Sequence, residues 1–145
     1  MAEVHLVVGC AVILLNLAAF VAGGVAWVRS RPSIPFWYLL RAAQASVFLQ
    51  VLLGGLLVFT NHEAPDDLHY LYGLLPLLVS FLAEGARTGA AQRELGETEF
   101  ESLDADTQQA VALAIVRREM GIMAVSCGVI LFLALRAAGT SGALF

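Results

Sequence analysis

Three histidines, His5, His62 and His69, are the side chains of this 145-residue chain best suited to binding or moving something, and each lies near a carboxylate: Glu3, Glu63, Asp66 or Asp67. Neutral imidazole is a ligand for haem iron, zinc or copper. Arg41 and Glu84 are the next unusual pair, opposite charges set in otherwise apolar stretches. A charge in such surroundings either reaches back to water along its own stem or meets a partner, so Arg41 is read as snorkelling or as forming an ion pair with Glu84. Gln50, Tyr72 and Ser80 add hydrogen-bonding groups in similar settings. Cys10 and Cys127 are single thiols within apolar runs and read as small hydrophobes. The sequence has no activated nucleophile, no metal-ligand set of recognised spacing and no phosphate-binding loop. It also has no basic patch of the kind that binds nucleic acid.

The elements that must position these groups follow from composition. Hydrophobic residues make up 59% of the chain and charged residues only 14%, against about 25% charged in a soluble domain. The chain is therefore read as one all-α integral membrane domain over residues 1–145, a four-helix bundle. The spans are placed at about 5–28, 35–60, 67–86 and 118–137, with an acidic cytoplasmic loop and helix start at 87–117. Leu6 to Val28 carries no charge and at 1.5 Å per residue exceeds a hydrocarbon core of about 30 Å. Pro32 ends the first helix within a turn holding Arg29 and Arg31, bracketed by Trp27, Phe36, Trp37 and Tyr38, as aromatic rings bracket a membrane interface. Pro65, Asp66 and Asp67 signal the start of the third helix. Gly85 to Asp106 reads as a loop, and Asp106 with Gln109 as the capping box of the last helix.

Helical periodicity then sorts the polar residues onto faces. His5, Gly9, Asn16 and Gly23 share one face of the first helix. Ala43, Ser46, Gln50 and Gly54 form a small and polar stripe on the second, and His69, Tyr72, Gly73, Pro76, Ser80, Glu84 and Arg87 run along one face of the third. Such faces are expected to turn inward, because polar atoms in lipid are costly and small residues let helices approach closely. The arginines fall in the turn after the first span and in the loop between the third and fourth, so the positive-inside rule places both termini on the extracytoplasmic side. Arg136 opposes this orientation. All three histidines then lie at the extracytoplasmic end. His5 and His69 are the pair suited to a bis-histidine haem b, with Gly9, Gly54 and Gly73 as clearance and Tyr72 or Gln50 as hydrogen-bonding neighbours. His62, in the turn, is suited to a surface metal.

Gln50-x-x-Leu53-Gly54 late in the second span, a short turn and then His69 resemble part of one half-bundle in the haem A synthase family, whose members are histidine-ligated haem proteins. The resemblance implies a haem-binding relative. The chain departs from that family's pattern at Arg41-x-x-Gln44, where the family offers a histidine, and its fourth span has none.

The residues support three readings. The first is a multi-pass protein of the inner (plasma) membrane without catalysis of its own, an accessory or interaction subunit in the lipid bilayer with a membrane-protein partner or a second copy. The second is a b-type haem protein passing electrons near the outer surface. The third is a small transporter or channel subunit.

Overall fold

The computed structural model describes residues 1–60, 66–96 and 98–141. Among these, four long α-helices carry the fold: α1 (Ala2–Val28), α2 (Ile34–Phe59), α3 (Asp67–Leu95) and α4 (Ala105–Thr140), with a single 3-10 turn at Phe100–Ser102. All four are long and apolar enough to cross a membrane. Asn61 to Pro65, including His62 and Glu63, lie outside the described residues, as does Glu97.

Each helix end has a local chemical cause. After α1 the Ser30 amide donates to Trp27 O and the Arg31 amide to Ala26 O, with Ser30 itself at a φ of 52°. This is the paired-bond helix terminus in which a left-handed residue turns the chain away. Ser33 then caps α2 by accepting from the Phe36 amide at 3.3 Å, with Pro35 in the first turn, where its missing N–H leaves no bond unmade. Asp66 caps α3 by accepting from the Leu68 amide at 2.9 Å.

Two sequence expectations need correction here. Gly85 does not open a loop: α3 continues through Gly85 and Gly89 to Leu95, and the chain turns only at Gly96, whose φ is 61°. A glycine within a helix costs up to about 1 kcal/mol against alanine, while Ala83 and Ala90 are buried along this stretch and Glu94 pairs with Arg118 of α4. The cap of α4 is Asp104, not Asp106. Its carboxylate accepts from the Thr107 hydroxyl at 2.7 Å and the Thr107 amide at 3.0 Å, and these bonds hold the carboxyl below its ordinary range.

α4 is the central element. It lies along α1 on one side and α3 on the other, while α2 packs along α1 and meets α3 and α4 only lightly. The buried residues are small or unbranched where helices cross: Ala19, Ala26, Ala83, Met120, Met123, Ala124 and Cys127 surround Phe36 and Leu40. Val12, Val47 and Ile130 form a second cluster. Large apolar side chains such as Leu14, Val21, Phe48, Leu74, Phe81 and Phe132 face outward, each more than half exposed. Small residues inside and large hydrophobes outside are the inversion expected of helices whose solvent is lipid.

The fully buried polar residues Asn16, Ser46 and Ser126, and the partly buried Ser80, bond within their own helices. Asn16, 1% exposed, donates to Val12 O at 2.8 Å. Ser46 donates to Ala43 O at 2.7 Å, Ser80 to Pro76 O at 2.9 Å and Ser126 to Met123 O at 2.8 Å. Back-bonding to the preceding turn keeps these four donors paired in apolar surroundings.

Candidate functional site

The polar side chains that cross between helices collect at the two ends of the bundle. At one end His5, near the start of α1, lies against Gln50, late in α2, with His5 Nε2 and Gln50 Nε2 3.1 Å apart. The two helices interlock reciprocally. Gly9, one turn beyond His5, receives the Gln50 amide, and a Cβ on Gly9 would lie 3.1 Å from Gln50 Nε2. Gly54, one turn beyond Gln50, receives the His5 ring, and a Cβ there would lie 3.3 Å from its Cε1. Each helix thus supplies one polar side chain and the glycine that admits its partner's.

His69 joins this end from α3. Its Nδ1 lies 2.9 Å from Ala137 O in the last turns of α4. A carbonyl only accepts, so Nδ1 carries the proton, and the ring is fixed in that orientation. The His5 and His69 ring centroids are 6.2 Å apart in an edge-to-face arrangement. Tyr72 lies under the Arg136 guanidinium, whose central carbon is 5.5 Å from the ring centroid. His5 Nδ1 and Gln50 Oε1 are buried without hydrogen-bond partners.

These residues do not fit a bis-histidine haem in this arrangement. The Nε2 of His5 is already against Gln50, and the clearances at Gly9 and Gly54 are filled by Gln50 and His5 themselves. A flat macrocycle would have to displace both side chains. Among the described residues no group of three or more His, Cys, Asp or Glu side chains converges to hold a metal ion, and His62 lies outside them.

At the opposite end a charged network ties three helices together. Glu84 on α3 accepts from Arg41 Nη1 on α2, from Gln44 Nε2 at 2.8 Å and from Arg87 Nε at 2.9 Å. Arg87 also reaches Glu119 on α4 at 3.5 Å, and its guanidinium lies 5.8 Å from the Trp37 ring centroid. Two cations and two carboxylates balance, so the cluster carries no net charge. Farther along, Arg118 meets Glu94 at 2.6 Å, joining α4 to the extension of α3.

Of the residues singled out in the sequence, the structure brings together His5, Gln50 and His69, and separately Arg41 and Glu84. Tyr72 is partnered by Arg136. Gln44, Glu119 and the Arg118–Glu94 pair were not singled out. Gln44 was legible in principle, since it follows Arg41 by one turn on the same face. Glu119 was not, because its pairing with Arg87 depends on how α3 and α4 are registered. Comparison with family models, curated proteins and solved structures finds no match to this chain.

Proposed function

We propose that this protein is a multi-pass subunit of the inner membrane that acts by binding another membrane component and performs no catalysis of its own. The observation that carries the reading is the Arg41–Gln44–Glu84–Arg87–Glu119 network, in which five polar side chains are spent on holding α2, α3 and α4 in register. Side chains committed in this way lock a scaffold in place. The positive-inside rule supports an orientation with the termini outside and the network at the cytoplasmic end.

That end also supplies the interaction element. α4 has 36 residues, about 54 Å of helix at 1.5 Å per residue against a core of about 30 Å. With the extension of α3 it projects as a hairpin whose tip carries Glu99, Glu101, Asp104 and Asp106. An acidic, helical projection is suited to a basic surface on a partner's cytoplasmic face.

Gentle solubilisation from native membranes should recover the protein with one partner at a fixed ratio. Replacing Glu99, Glu101 and Asp106 by glutamine or asparagine should release that partner while leaving the bundle folded. Repeated recovery of a lone monomer, or a partner indifferent to those changes, would overturn the proposal.

The haem reading is decided by absorption. The protein purified after expression with ample haem should show no Soret band, because His5 and Gln50 occupy each other's clearances. A Soret band that disappears in His69→Ala would make the protein a haem carrier and displace the subunit reading.

A further inference from the structure

The arginine end has one feature that the internal network leaves unused. An open groove of about 690 Å³ runs between the last turn of α1 and the outer face of α4, within the ~300–1,000 Å³ typical of ligand clefts. Its wall is apolar. The Trp27 ring seats against Gly121, where a Cβ would lie 2.7 Å from the indole, and Ile122 and Val125 continue the surface toward the middle of the helix. Its rim is polar, with Glu94, Arg117 and Arg118 at the projecting end. Arg118 is committed to Glu94 at 2.6 Å. Arg117 is exposed and makes no ion pair among the described residues.

We propose that this groove holds an anionic phospholipid, with one acyl chain along Trp27, Ile122 and Val125 and the headgroup phosphate at Arg117. The inference rests on the membrane-spanning reading of the helices. Two complementarities point to this occupant. The apolar wall and basic rim follow one another along α4, matching the order of chain and headgroup along a lipid. With Arg118 paired to Glu94, the rim presents one uncommitted cation, Arg117, at the end where Arg29 and Arg31 leave α1 just after Trp27, and a cytoplasmic leaflet is the anionic one. Arginine takes phosphate in a planar two-point contact, which a lysine at this position would not reproduce. A soluble phosphate would use the rim and leave the wall bare, and a zwitterionic lipid would use the wall with less gain at the rim.

The test reads Trp27 fluorescence in a Trp37→Phe background, with the protein reconstituted in vesicles. Phosphatidylglycerol with brominated acyl chains should quench Trp27 at a mole fraction about five-fold lower than brominated phosphatidylcholine, the preference one basic residue near a membrane surface provides. Arg117→Gln should remove the preference while leaving quenching by phosphatidylcholine unchanged. Equal quenching by the two lipids would overturn the proposal, as would a preference that survives Arg117→Gln or is abolished by millimolar inorganic phosphate. Failure of the membrane-spanning reading would look different: neither brominated lipid would quench, and a water-soluble quencher such as iodide would reach Trp27 freely.

Discussion

Gly23→Ala should destabilise the bundle by about 1–3 kcal/mol, the usual cost of forcing extra volume into a packed interior, whereas Gly24→Ala in the next position should be neutral or slightly stabilising. A Cβ on Gly23 would lie 2.5 Å from Phe36 Cε2 and 2.9 Å from Ala124 Cβ. Phe36 is fully buried and Ala124 is 1% exposed, so neither the ring nor the methyl has space to retreat into. The methyl must instead push α1 away from α2 and α4 together, at the point where the larger core cluster is centred. A Cβ on Gly24 meets nothing within 4 Å, and there the gain in helix propensity, up to about 1 kcal/mol, is unopposed. Thermal unfolding of the two variants in the same detergent measures the difference. Equal midpoints for both would show that α1 does not pack as described.

Glu84→Leu should have the second large effect, about 1–3 kcal/mol, the cost of leaving the partners of a half-buried polar group unsatisfied. The substitution removes the acceptor of three donors on two helices and leaves Arg87, 24% exposed, with the 3.5 Å contact to Glu119 and the Trp37 ring. Arg41→Leu removes the same ion pair from the other side but should cost no more than about 1 kcal/mol, as exposed pairs do. The Arg41 side chain is 53% exposed, so little of it is packed against neighbours, and Glu84 keeps Gln44 and Arg87. The comparison of the two unfolding midpoints separates a carboxylate that organises the end of the bundle from a simple surface pair. Equal losses would sink the idea that Glu84 is the hub.

The helix faces were legible because their cause is local. An asparagine, a histidine or a glycine repeated at helical spacing declares which side turns inward, whatever the neighbour, and Asn16, Gly23, Ala43 and Ser46 are all buried. The helix start at Asp66 was legible for the same reason, since a cap is a bond within a few residues of chain, whereas the Ser33 cap of α2 went unread. The length of α3 was misread because glycines at 85 and 89 resemble a break when the neighbour that buries Ala90 is unknown.

By itself the sequence determined an all-helical chain with four apolar stretches, inward faces of small and polar residues, and the gathering of histidines at one end and most arginines at the other. Only the tertiary structure decided which faces meet. α1, not α3, receives Gln50. Of the glycines proposed as room for a ligand, Gly9 and Gly54 are the seats of Gln50 and His5, while a Cβ on Gly73 would meet nothing within 4 Å, and Glu84 gathers Gln44 and Arg87 as well as Arg41. The physical reason is that helical periodicity fixes a residue's angle about its own axis to within a fraction of a turn. The partner across a seam depends on the relative rotation and sliding of two helices, and a shift of one turn, about 5.4 Å, replaces every contact while leaving the pattern along each helix unchanged.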